Sequence, residues 1–255
     1  MTRLEKIFAQ GEKKLVIFDV CGAPDMETSA KRLEAVVAGG ADIVELGIPF
    51  SDPVADGPVI QRASQQALAN GANLEKILAL AADLRAKHPE TGLIFFGYFN
   101  VFLQYGLDAL FARMAEIGID GILIVDLPFE EREELRPLIE KYHVPQITLI
   151  GPSTTPERAK MLVEKAEGFV YCINARGVTG ERAALPPELA GRLETLKKLS
   201  PVPVAAGFGI ACPADAAAVC RHADAAVVGS AAVKLPLESL GPFVASLKAA
   251  LTELA

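Results

Sequence analysis

Residues 41 to 58, ADIVELGIPFSDPVADGP, join a short apolar run to a segment broken by three prolines, and the run closes on a carboxylate, Glu45. Counted with a period of two, Ala41, Ile43 and Glu45 share one face while Asp42, Val44 and Leu46 share the other. A strand that is apolar nearly throughout is one covered on both faces, as in parallel sheets. Val44 and Leu46 suit a layer of helices, which turns Glu45 toward the opposite side. A charged glutamate there, without a partner, costs several kcal/mol, so it must hold a proton or find a cation.

Seven more runs of the same kind lie along the chain: KLVIFDV (14–20), LIFFGYF (93–99), GILIVDL (121–127), PQITLIG (145–151), FVYCIN (169–174), VPVAAG (202–207) and DAAVVGS (224–230). Between them stand segments of helical spacing. In METSAKRLEAVVAGG, for example, Ala30, Leu33, Val36 and Val37 share a face and Gly39 with Gly40 supplies a stop. LDALFARMAEIG, EEREELRPLIEKY, TTPERAKMLVEKAEG and CPADAAAVCRHA each begin near an acid, Thr or Pro, as helices do. Eight such alternations in 255 residues predict an α/β fold, a (β/α)8 barrel forming a single domain over residues 1–255. An open doubly wound sheet has fewer strands and a nucleotide fingerprint, and neither G-x-G-x-x-G nor a P-loop occurs here.

Composition narrows the function. Apolar residues make up 51% and charged residues 22%, which is enough for a large core. The net charge of -7 and the absence of any Lys/Arg run longer than two argue against nucleic acid as a partner. Without about 18 consecutive apolar residues or a signal-like N-terminus, the expected location is the cytoplasm, away from membranes. Cys21, Cys172, Cys212 and Cys220 show no C-x-x-C spacing and read as buried free thiols. His88 and His143 fall where helices should end, and no metal site is expected.

Two insertions, residues 48–58 and 175–187, follow the second and sixth strands at their C-terminal ends, where barrel enzymes build their sites. Glu45 at that end is placed for general acid and base chemistry, the alternative being a structural glutamate paired with a cation. Asp56, before Gly57, is by itself compatible with turn chemistry, and Asp52 before Pro53 even more so. Gly207 and Gly209 follow the seventh strand, and Gly229 with Ser230 follow the eighth. Those loops form phosphate cradles in barrels, because glycine lets backbone N–H groups approach an anion closely. GVTG (177–180) could add donors. Tyr98 and Tyr171 also stand at strand ends, as packing or site residues, and Asp126 at another, as a site residue or a helix-start acid for PFEERE.

With these residues placed, the sequence resembles the tryptophan synthase α-subunit family: ELGIPFSDPVADGPVIQRAS is close to its signature, and GVTG, GFGI and GSA recur in the expected order. The resemblance runs from about residue 3 to residue 250. It implies a lyase that splits indole-3-glycerol phosphate into indole and glyceraldehyde 3-phosphate without metal or cofactor. On that pattern Glu45 moves the protons and Asp56 accepts the indole N–H. Tyr98, Tyr171 and Phe208 line the substrate, Thr179 closes a loop onto Asp56, and Gly180, Gly209, Gly229 and Ser230 hold the phosphate. The resemblance further implies a β subunit carrying pyridoxal phosphate, in an α2β2 assembly, touched by Pro49 and Asp52. The chain departs from the pattern at VCGAPD, where the family usually has TAGDPD, so Val20 and Ala23 lack polar groups. FGYFNVFLQYG and NARGVTGER also depart, which implies retained chemistry with altered loop coupling. A catalytically weak subunit that activates its β partner and a phosphate-binding barrel isomerase are the alternatives.

Overall fold

The computed structural model describes residues 1–173, 187–207 and 209–254. Its eight strands are β1 (Lys14–Val20), β2 (Ile43–Gly47), β3 (Gly92–Gly97), β4 (Gly121–Ile124), β5 (Ile147–Ile150), β6 (Glu167–Ile173), β7 (Val204–Gly207) and β8 (Ala225–Val228). Their order in the sheet is β4-β3-β2-β1-β8-β7-β6-β5, with parallel ladders throughout. A bridge between Ile122 and Gln146 brings β4 against β5 and closes the cylinder. The expected (β/α)8 barrel is therefore what forms.

Period-two alternation separates the core into two shells. Val16, Ile43, Ile94, Leu123, Ile147, Phe169, Ala205 and Ala225 fill the interior. Leu15, Ile17, Val44 and Leu46, one residue out of phase, pack with the helices, among them Leu33 and Val36 of the helix Met26–Ala38. Both faces of the sheet are thus apolar, and a single-residue slip of any strand would exchange the shells.

The lower end is plugged. A capping box between Thr2 and Glu5 starts the helix Arg3–Ala9, whose Leu4 and Ile7 enter the interior shell. Each buried side chain of this kind contributes about 1.5–3 kcal/mol. The Phe8 ring meets Phe169 at 6.1 Å between centroids. Three aspartates that precede strands tie the same end together: Asp42, Asp120 and Asp224 accept the N–H groups of Leu15 (2.7 Å), Leu93 (2.9 Å) and Val204 (2.9 Å). Only the C-terminal ends of the strands are left to hold a site.

The wall is least continuous between β4 and β5, where the one bridge is backed by Arg132. Its guanidinium donates to Gln146 Oε1 (3.1 Å), the Gln146 carbonyl (3.2 Å) and Thr148 Oγ1 (3.2 Å). The single helix expected over EEREELRPLIEKY is in fact a 3-10 segment, Phe129–Glu134, followed by the helix Arg136–Tyr142. Pro137 explains the break, since it has no N–H to donate and is tolerated only in a first turn. Several strands are also shorter than their apolar runs. Tyr98 caps the helix Phe99–Tyr105, and Ser230 opens the turn Ser230–Val233. His88 and His143 end helices as expected. All four cysteines are free; three are buried and Cys212 is partly so.

Candidate active site

Glu45 lies on β2 in register with Phe18 of β1 and Ile94 of β3, at the upper end of the interior. It is fully buried, and neither carboxyl oxygen has a hydrogen-bond partner among the described residues. Of the two outcomes the sequence allows, proton or partner, the geometry selects the proton: burial alone pushes the carboxyl up to about 8. A carboxylic acid held neutral near physiological pH can give a proton and, once it has done so, take one back.

The wall around it is aromatic. Phe18 and Phe96 meet edge to face at 4.9 Å between centroids. Gly47 makes room for that pair, because a Cβ there would stand 2.5 Å from Phe18 Cζ and 2.9 Å from the Asp19 carbonyl oxygen. Sequence reasoning missed Phe18 and Phe96. Extending the parity count from β2 to its neighbours would have found them, since Val16 and Ile94 face inward and lie two residues away.

Asp56 sits in the loop between β2 and the helix Pro58–Ala69. Tyr98 organises that loop: its hydroxyl donates to Asp56 Oδ2 at 2.9 Å and accepts the Ala55 N–H at 3.0 Å, while its ring stacks on Phe50 at 5.0 Å. Burial raises the Asp56 carboxyl above the usual carboxylate range, and the Tyr98 hydrogen bond opposes the shift. Tyr171, in the body of β6 rather than at its end, is close enough to Glu45 and Asp56 for either carboxylate, once ionised, to act on its hydroxyl. Burial first and then those charges hold its proton on. Gly207 beside it has no space for a side chain, as a Cβ would stand 2.5 Å from the Tyr171 hydroxyl. Glu45, Asp56, Tyr98 and Tyr171 are thus brought to one end of the barrel.

Gly209 has φ +59, a conformation that favours glycine, and among the described residues nothing stands within 4 Å of where its Cβ would be. Gly229 and exposed Ser230 open the turn after β8, whose first N–H groups have no acceptor within the turn. Thr179, Gly180 and Phe208, together with the extended loop after β6, lie outside the described residues. In the loop after β2, Pro49 is buried and Asp52 exposed, the latter accepting a hydrogen bond from Ser51 Oγ at 2.5 Å. Asp126 accepts the Phe99 N–H at 2.7 Å and so anchors the start of the helix Phe99–Tyr105. Val20 and Ala23 are buried in an apolar cluster with Phe18 and Ala72. Among the described residues no group of His, Cys, Asp and Glu could hold a metal ion, and no helix is long and apolar enough to cross a membrane.

A closed parallel barrel with a neutral carboxyl and a second, tyrosine-held carboxyl at the C-terminal ends of its strands defines a barrel enzyme of the acid–base class. The comparisons narrow the class: residues 4–242 match the family model for the tryptophan synthase alpha chain. The chain belongs to that family. It is 42% identical over 239 residues to the tryptophan synthase alpha chain of Carboxydothermus hydrogenoformans, covering 92% of this chain and 89% of that one. The corresponding chain of Chloroflexus aggregans is 42% identical, with 95% and 92% covered. Among solved structures, the alpha subunit from Legionella pneumophila superposes with a TM-score of 0.90 at 34% identity, with 99% of each chain covered. A chain of Mycobacterium tuberculosis tryptophan synthase gives 0.89 at 34%, with 98% of each covered.

Proposed function

We propose that Glu45 and Asp56 carry out the lyase reaction of this family, the retro-aldol cleavage of indole-3-glycerol phosphate to indole and glyceraldehyde 3-phosphate. The protonated Glu45 gives its proton to indole C3, which turns the ring into an indolenine cation. The bond from C3 to the glycerol carbon then breaks, and its electron pair returns to the ring. The adjacent hydroxyl becomes the aldehyde as it loses its proton, which Glu45, now a carboxylate, takes up. Asp56 accepts the indole N–H and stabilises the positive charge on the ring, an effect strongest where water is excluded.

Tyr98 and Tyr171 frame the indole, together with Phe208. Gly180, Gly209, Gly229 and Ser230 hold the phosphate, and Thr179 meets Asp56 when the loop closes. Exposed Asp52 meets a β subunit in an α2β2 assembly, with buried Pro49 shaping the contact loop from beneath, and pyridoxal phosphate belongs to that partner, this chain using no cofactor of its own. The location is the cytoplasm. The observation that carries the reading is the burial of an unpartnered Glu45 carboxyl at the end of the barrel where Tyr171 is within electrostatic reach of both Glu45 and Asp56.

Release of indole from indole-3-glycerol phosphate by the purified chain, alone and with a β subunit, tests it. Indole formation supports the lyase; its absence under both conditions refutes it. Inorganic phosphate should compete with substrate, and Ser230→Phe should raise the Michaelis constant.

A further inference from the structure

Behind the mouth, in the helix layer, β1 carries a buried aspartate. Asp19 faces outward, one residue after Phe18, and its side chain is 2% exposed; Arg32, from the helix Met26–Ala38, is 7% exposed. Arg32 Nε donates to Asp19 Oδ2 at 2.7 Å and Nη2 to Oδ1 at 3.1 Å. The other donors reach across the layer to the segment after β8: Nη2 to the Ala232 carbonyl at 3.1 Å and Nη1 to the Leu235 carbonyl at 2.6 Å. Ala232 belongs to the turn Ser230–Val233, which begins at Gly229.

Stability alone explains this arrangement poorly. Two charges lose their hydration on burial, and an apolar pair of similar volume often stabilises a core at least as well. What an apolar pair cannot do is hold two carbonyls at fixed distance from a third group, which the planar, five-donor guanidinium does. Through Arg32 the turn after β8 is fastened to β1. On the inward face of β1, Phe18 is in register with Glu45 and lies 3.6 Å from where a Gly229 Cβ would stand. One strand therefore serves as the reference for both the acid and the turn.

We propose that Arg32, oriented by Asp19, is a positioning residue that sets the turn at Gly229–Ser230 relative to Glu45 and so holds the substrate phosphate in reach of the reacting ring. The proposal rests on the reading of Gly229 and Ser230 as phosphate contacts. Lysine at position 32 keeps the charge but cannot span Asp19 and both carbonyls. Arg32→Lys should raise the Michaelis constant and the inhibition constant of inorganic phosphate about tenfold each, the equivalent of one charge-assisted hydrogen bond. Binding of indole-3-propanol, which has the ring and no phosphate, should stay unchanged.

The double variant Asp19→Val/Arg32→Leu removes the charges together, so it should fold, with a melting midpoint lowered only by the loss of the hydrogen bonds to the Ala232 and Leu235 carbonyls, while showing the same weakened phosphate inhibition. Unchanged phosphate inhibition in whichever variant folds, even with a lowered melting midpoint, would leave the pair as a fold stabiliser and overturn the proposal. Weakened binding of indole-3-propanol to the same degree would also overturn it, since the disturbance would then not be confined to the phosphate end. A parent enzyme that inorganic phosphate does not inhibit would instead overturn the phosphate reading of the turn itself.

Discussion

Glu45→Gln keeps the size of the side chain and removes its titration. In the folded parent the carboxyl is pushed up to about 8, against an ordinary value of 4.5. Between those values the folded state keeps a proton that the unfolded chain has released, so stability falls as pH rises from 4.5 and levels off above 8. At about 1.36 kcal/mol per pH unit, the penalty accumulates to roughly 4–5 kcal/mol over the whole interval and to about 2 kcal/mol between about pH 6 and about pH 8. The amide has no such penalty. Urea titrations at a series of pH values should therefore show the parent losing about 2 kcal/mol relative to the variant over that last span. The same substitution should slow indole release by about 10² to 10⁴, the usual contribution of a positioned acid–base group. Parallel stability curves for the two proteins would refute the reasoning, because they would mean that the carboxyl is already charged and solvated in the folded chain.

Asp56→Ala should lower kcat by about 10² or more in the indole assay, as expected for loss of an electrostatic stabiliser, with circular dichroism unchanged. Gly47→Ala drives a methyl group into Phe18 and should cost about 1–3 kcal/mol by denaturant titration. Leu4→Ala, which opens the plug at the lower end, should cost about 2–5 kcal/mol while leaving kcat of the folded enzyme unchanged, since Leu4 and Ile7 pack against Gly92 at the N-terminal start of β3, the end opposite the site.

The run ADIVELG was enough to turn Glu45 inward, because strand parity is a local property and both shells of the barrel are apolar. Asp56 needed more than its own sequence: a DG pair means a turn anywhere, and the hydroxyl that gives it a fixed place comes from Tyr98, 42 residues away. Arg32 was invisible for the same reason, since one of its carbonyl partners is 203 residues distant. Strand ends were overextended at LIFFGYF and DAAVVGS, where apolarity continues but the backbone turns into a helix at Phe99 and Ser230. Tertiary capping decides such boundaries: Asp126 supplies an acceptor to the Phe99 N–H that no local pattern announces. The helix expected over EEREELRPLIEKY (130–142) is broken because Pro137, inside that stretch, cannot donate to a continuous helix.

The thin seam between β4 and β5 divides the cylinder into halves joined on the far side by the β1–β8 ladder. Glu45, Asp56 and Tyr98 belong to the first half, whereas Tyr171, Gly209 and Ser230 belong to the second. A chain severed near Val144 would leave each fragment a complete four-strand series with its own covering helices. Neither fragment would be competent by itself, so recovery of turnover on mixing them would report reassembly of the whole cylinder.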